Sequence, residues 1–337
     1  MKGRGLLPRR RRRSVIWLLV GLALVLAVLN RYQEPLRRYF WGVKKEVVFA
    51  GQSMEGLFAF EVARVVDQVA KNEGREPVDA VLDEEKEGII PELNGIAVDR
   101  EATVEAIMKA RRGERIDPVY AEVLPSLRWE HYPERPVFQG NPGKPMVSFM
   151  INVAWGEEYL EEMLRILAEH QAKATFFLTG RWAEKNPELV RRIAAEEHEL
   201  GNHGYSDGEL FSEMEAEAMA ASLRRTNEVV FSACGRYPYY FTPHKGEYSP
   251  LALQVVSRQG MRTVMWTLDT VDWSKPGVEQ MKAKILNGVG PGSIILMHPT
   301  EDTLALLREI LPVLKEKELA VVTVGELLSP SWFFRKR

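Results

Sequence analysis

Over its C-terminal half the sequence predicts an α/β domain built on a parallel sheet, and three observations carry that expectation. Strand-like and helix-like segments alternate from Pro145 onward. The first strand, Met146 to Val153, is a continuous apolar run, as expected of a strand covered on both faces. Helix start and stop signals fall between the strands. Taken in order, Leu160, Met163, Leu164 and Leu167 lie on one helical stripe, and Ala174 to Leu178 is a second strand. Asn186-Pro187 opens a helix as N-cap and first residue, and Ser212 with Glu215 forms a capping box for the next. Tyr237 to Phe241 is a strand, and Ser249-Pro250 starts a helix that Gly260 ends. Arg262 to Leu268, Ser293 to Met297 and Ala320 to Thr323 complete the strand set. Periodicity leaves an open sheet and a barrel equally possible, and no internal repeat is evident.

The N-terminus is of a different kind. Lys2, Arg4 and the five arginines Arg9 to Arg13 are followed by the apolar run Val15 to Leu29. We read residues 1–13 as a basic cytoplasmic tail and 14–31 as a transmembrane signal-anchor, with Arg13 and Arg31 at the two interfaces. A cleaved signal peptide is the rival reading, but no small-x-small site follows before Asn30, Arg31 and Tyr32. This predicts a single-pass protein of the cell membrane whose C-terminal domain is extracytoplasmic. Formal net charge is only −2, and beyond the anchor the charges are mixed without a basic stripe, which argues against nucleic acid as a partner. Cys234 is the only cysteine, so an intramolecular disulfide and a cysteine-based zinc cluster are both excluded. With 45% hydrophobic residues in 337, the chain can fill one large core or two smaller ones.

Residues 45–125 read as a small α+β module. Val47 to Ala50, Val78 to Leu82 and Ile89-Ile90 are strand candidates, Phe60 to Val69 is an amphipathic helix, and Asp99 caps a second helix through Met108. The stretches GQSMEGLFAFEVA and IIPELNGIAVDREATVEAIMKA resemble extracytoplasmic modules thought to bind peptidoglycan. A plain spacer is the alternative. Residues 126–144, with Pro133, Pro136, Pro142 and two glycines, form a linker to the domain over 145–330.

Polar residues interrupt the apolar pattern of that domain at five places: Asn152 in SFMINVAWG, His203 and Asp207 in GNHGYSD, the FTPHKG turn from Phe241, Asp269 and Asp272 in LDTVDW, and His298 in ILMHP. In a βα repeat these are strand ends, where function collects. Their order and spacing, together with ATFFLTGRWAEKNPELVRRIAAEEHELGNHGYS, resemble the NodB-type polysaccharide deacetylases of carbohydrate esterase family 4, in particular the sporulation and peptidoglycan branch of the Firmicutes. The resemblance runs from Pro145 to Leu328. It implies a distorted (β/α) barrel of seven or eight strands and a deacetylase of N-acetylated glycans. In such an enzyme a divalent metal polarises the acetyl carbonyl and activates water, a carboxylate takes the water's proton, and a histidine protonates the leaving amine.

Aligned on Trp155-Gly156, Asn152 stands where the resemblance expects the catalytic base and Val153 where it expects a metal-binding Asp. His203 is kept, but Asp207 replaces the second histidine, four residues on. Thr242 replaces an arginine and is followed by His244 and Lys245. The last two motifs match: Asp272 and Trp273 on the groove, Leu296 at the acetyl pocket, His298 as general acid, and Asp269 to orient it. Trp155, Thr242 and Lys245 join the substrate-binding set. Any metal, zinc or another divalent ion, is assigned to His203 and Asp207 with help from the Asn152 carbonyl. Two readings follow for a partner that is a cell-wall glycan. One is a weak metal-dependent deacetylase with a remodelled site; the other is a non-catalytic glycan-binding pseudo-deacetylase.

Overall fold

The computed structural model describes residues 9–331; the side chains of 9–16 and Leu29 lie outside that description. The described chain forms two compact units, 9–75 with 96–123, and 76–95 with 124–331.

The larger unit is built on eight strands: β1 (Met146–Val153), β2 (Thr175–Leu178), β3 (Glu199–Asn202), β4 (Tyr240–Phe241), β5 (Arg262–Thr263), β6 (Leu268–Asp269), β7 (Ile294–Met297) and β8 (Ala320–Val322). Every pairing among them is parallel, in the order β5-β4-β3-β2-β1-β7-β6. β8 pairs with Met146 to Ser148 of β1. β5 and β6 are not bonded to each other, so the expected barrel is a half-barrel open at this point. Part of the predicted linker stands in the gap. Val137 makes a parallel bridge to Val264, and the Thr267 hydroxyl donates to the Phe138 carbonyl at 2.9 Å.

Strand alternation explains two separate cores. Val147, Phe149, Ile151 and Val153 of β1 pack toward the helices, against residues such as Leu160, Met163 and Ile310. Met146 and Met150 face the inside of the sheet, with Phe177, Leu296 and Val324. Residues 76–95, expected in the small module, belong to this unit. Ala80 donates to the Leu127 carbonyl and Ile89 to the Pro136 carbonyl, and both side chains join the inner core. The Ser212–Glu215 capping box does not form, because the helix Ala216–Cys234 begins only after Glu215. Ser249 caps its helix as expected, accepting from the Ala252 N–H at 3.2 Å.

The smaller unit packs the helices Ala59–Ala70 and Arg100–Lys109 around a core of Val47, Phe49, Val62, Val66 and Ile107. Asp99 caps the second helix through the Ala102 N–H at 2.9 Å. The N-terminal helix runs unbroken from Arg9 to Trp41. Its last turn is fastened by Arg38, which donates to both Glu61 carboxylate oxygens at 2.8 and 2.9 Å and lies over the Phe58 ring. These bonds, with that from the Phe58 N–H, hold the Glu61 carboxyl down at about 2. Among the described residues no helix is long and apolar enough to cross a membrane. Part of the expected span, the side chains of 14–16 and Leu29, falls outside the described residues.

Candidate active site

In-register pairing sets Val153, Leu178, Asn202 and Phe241 in one row across four strands. The residues just beyond that row are therefore gathered at the C-terminal edge of the sheet. A cavity of about 470 Å³ opens there. Nine of the eleven residues singled out in the sequence line it: Asn152, Trp155, His203, Asp207, Lys245, Asp269, Trp273, Leu296 and His298. The other two, Asp272 and Thr242, are fully buried. His244 and Trp266 line the cavity without having been assigned to it. His244 had a signal, its place in the FTPHKG turn; Trp266 was hidden in a stretch read as strand.

On the β6–β7 side the geometry is complete. Asp272 accepts from the His298 backbone N–H at 2.6 Å and from the Thr303 hydroxyl at 2.7 Å, and its other oxygen lies 2.7 Å from His298 Nδ1. Burial alone would push the Asp272 carboxyl up, but these bonds, chiefly from His298, outweigh it and hold the carboxyl below its usual range. Since a carboxylate can only accept, Nδ1 carries the proton, and Nε2 is the atom free for proton transfer. The orienting residue is thus Asp272 and not Asp269. Asp269 instead accepts from the Val271 N–H at 2.8 Å. Val271 sits at φ 56° and ψ 28°, an unfavourable conformation for a β-branched residue, at the turn between the two aspartates. The His298 ring lies nearly parallel to that of Trp155, 7° apart in plane with centroids at 6.0 Å. Gly156 permits this approach, since a Cβ there would stand 2.3 Å from the Pro299 carbonyl oxygen.

The β1–β3–β4 side is arranged differently. Asn202 accepts from the Gly204 N–H at 2.8 Å and so shapes the loop that carries His203. His203 Nδ1 donates to the Thr242 carbonyl at 2.8 Å. The His244 ring packs on that of His203 with centroids 3.9 Å apart. Burial lowers the pKa of both imidazoles, and for His203 the neighbouring His244 adds to it. Three buried polar atoms here, Asn152 Oδ1, Thr242 Oγ1 and His244 Nε2, have no hydrogen-bond partner among the described residues.

The metal assignment does not fit this arrangement. His203 and Asp207 do not share a helical turn, because Gly204 adopts φ 77° and the chain bends away before Asp207. The Asp207 side chain is 68% exposed and lies 3.5 Å from His244 Nδ1. Val153 is fully buried on the helix side. Among the described residues no three His, Cys, Asp or Glu side chains are placed to hold an ion. A further histidine is buried outside the site: His198, beside β3, accepts from the Ala174 N–H at 3.1 Å and is held neutral, its pKa brought down to about 4 chiefly by burial.

Residues 139–264 match the family model described as "Polysaccharide deacetylase". The peptidoglycan-N-acetylglucosamine deacetylase of Bacillus cereus is 32% identical over 199 residues, 58% of this chain and 72% of that protein. The chain belongs to the polysaccharide deacetylase family. A second deacetylase-family relative covers more of the chain: BA3943 from Bacillus anthracis, described as a CE4 family pseudoenzyme, is 32% identical with a TM-score of 0.68, over 80% of this chain and 95% of that one. A mutant of BA3943 with restored enzymatic activity superposes with the same TM-score. The uncharacterized protein YlxY of Bacillus subtilis (strain 168) is 36% identical over 290 residues, 86% of this chain and 89% of that protein.

Proposed function

We propose that this deacetylase-family chain binds cell-wall glycan without hydrolysing it at the family rate. The observation that carries this reading is the state of the β1–β3–β4 side. Asn152, which the resemblance aligns with the catalytic base, brings a neutral amide to the cavity, and among the described residues no three side chains are placed to hold an ion. The groove itself is kept, with Trp155 and Trp273 41% and 62% exposed at its rim and Leu296 in its lining. Aromatic faces of this kind bury the apolar faces of sugars. A slow deacetylase is the second reading, favoured by the intact His298–Asp272 pair. A general base contributes about 10²–10⁴ in rate. Acetate release from N-acetylglucosamine oligomers, measured on the full-length protein with zinc added, separates the two. We expect no release above background, whereas a family-like rate that zinc restores after chelation would overturn the proposal.

We further propose that residues 14–31 anchor the chain in the cell membrane with the deacetylase-like unit outside. Support comes from the arginine block before the apolar run and from the exposed side chains of Trp17, Leu18, Leu19, Leu22, Leu24 and Leu26 along the helix. Cell-wall deacetylases among the relatives agree with that side of the membrane. A mature N-terminus beyond Leu29 would refute it. The peptidoglycan-binding resemblance of the small module stays a proposal of the same kind.

A further inference from the structure

We infer that the smaller unit carries a binding site for the phosphodiester headgroup of an anionic membrane lipid, at the junction between the N-terminal helix and the rest of that unit. This rests on the anchor reading above and adds a ligand to it. A cavity of about 530 Å³ opens at the junction, and its charged lining is Arg38, Lys44, Lys45, Arg112 and Glu55. Arg38 is paired with Glu61 and Glu34, and Arg112 with Glu46. Lys44 and Lys45 are exposed and have no ion pair among the described residues. With the paired groups set aside, the two lysines face Glu55, an excess of one positive charge that matches the single charge of a phosphodiester.

The junction is shaped before any ligand arrives. The Val43 N–H donates to the Leu57 carbonyl and the Gly56 N–H to the Val43 carbonyl, both at 2.9 Å. Gly42 allows the close approach, since a Cβ there would stand 2.5 Å from the Arg38 carbonyl oxygen and 2.6 Å from that of Gly56. A site fixed in this way loses little entropy on binding. Its position suits a lipid better than a soluble anion. With Arg31 as the outer end of the span, a helical rise of about 1.5 Å per residue puts Pro35 about 6 Å beyond the hydrocarbon, inside a headgroup layer about 5–8 Å deep, and Tyr39 about 12 Å beyond it. Tyr39 and Phe40 line the cavity, and with Trp41 they are 62–67% exposed. Aromatic rings at this level belong at the membrane interface, and cations beside them attract anionic headgroups.

The test is native mass spectrometry of the full-length protein in a mild detergent, with phosphatidylglycerol and phosphatidylcholine of equal chain length in competition. Phosphatidylglycerol should be retained about tenfold more tightly, and Lys44→Gln combined with Lys45→Gln should abolish that preference. Both lysines are exposed, so the variant keeps its fold. Lys71→Gln combined with Lys109→Gln removes as much charge outside the cavity and should leave the preference unchanged within about twofold. Equal retention of the two lipids, or an unchanged preference in the Lys44 and Lys45 variant, would overturn the inference. Binding of glycerophosphoglycerol, the same headgroup without its chains, as tightly as the lipid would overturn it in favour of a phosphodiester wall polymer. Carbonate washing of membranes tests the anchor separately. Absence of the preference in a protein that stays with the membrane defeats the lipid site alone, whereas release of the protein defeats the anchor reading on which the site rests.

Discussion

On the β6–β7 side of the cavity, one carboxylate collects the His298 N–H, the His298 ring and the Thr303 hydroxyl. Across the cavity, Asn152, Thr242 and His244 each keep a buried polar atom with no partner among the described residues. The first side is coupled to the fold, because deleting Asp272 strands buried donors. At Asn152 the second is not, because a change there breaks no side-chain hydrogen bond through Oδ1. The difference shows where a chain of this family can change site residues at little cost to the fold: at Asn152, and not at the His298–Asp272 pair. A substitution at Asn152 leaves stability nearly unchanged, whereas one at Asp272 is opposed by the folding free energy as well as by any function.

The largest effect should come from testing whether a metal ligand can be restored at Val153. The side chain is fully buried among Leu160, Leu164 and other helix-side residues. Val153→Asp therefore places an uncompensated carboxylate in an apolar core, at a cost of about 3–5 kcal/mol. Urea unfolding monitored by tryptophan fluorescence reads this directly. A loss below about 1 kcal/mol would mean that the residue-153 side chain reaches the cavity and that the β1 side retains a metal position. Next in size is Asp272→Ala, expected to cost about 3 kcal/mol because the His298 N–H and Nδ1–H lose their acceptor and the Thr303 hydroxyl keeps only Thr300 Oγ1. Thr303→Val should cost about 1 kcal/mol by the same measurement, having removed a single neutral donor.

Much of this comparison was legible in the sequence. The strand ends could be found from where polar residues interrupt apolar runs, so nine of the eleven chosen residues reached one cavity. What failed depended on chain direction over a few residues or on partners far along the chain. Asp269 and Asp272 are three apart, and only the left-handed turn at Val271 decides which one reaches His298. The His203–Asp207 spacing suggested a helical turn, but Gly204 ends any such step. His244 meets His203 from another strand end, 41 positions away by 244 − 203. Residues 76–95 look like the strands beside them, and only their pairing with 127 and 136 assigns them to the larger unit.

Acidification should distinguish the two sides by pH. His198, His203 and His244 have folded pKa values below the ordinary 6.5, so the unfolded chain takes up protons that the folded chain refuses. Their contribution to stability is complete above pH 6.5 and is lost as pH falls toward the folded values. For His198, at about 4, the full loss is about 3 kcal/mol, spread over that window. Asp272 has the same sign in a lower window, as its lowered pKa gives a contribution that is present above the ordinary carboxylate value and disappears only below it. Thermal unfolding followed from pH 7 to pH 5 should therefore show a falling Tm, while NMR of the imidazoles still shows His298 bonded to Asp272. A Tm that is flat across this range would mean that the buried imidazoles take up protons without unfolding the chain.

The smallest effect is expected at Asn152 itself. Leucine resembles asparagine in branching, and position 152 lies on the same inner face as Met150. Asn152→Leu removes an acceptor that has no partner among the described residues, so the folded state loses no hydrogen bond through Oδ1. It also replaces a buried polar group by an apolar one, a change that is neutral or stabilising by up to about 1 kcal/mol when no partner is stranded. A destabilisation above about 1.5 kcal/mol would show that Oδ1 is satisfied in solution, for instance by an ordered water that binds other groups as well. The contrast with Asp272 would then shrink, because both side chains would hold buried partners in place.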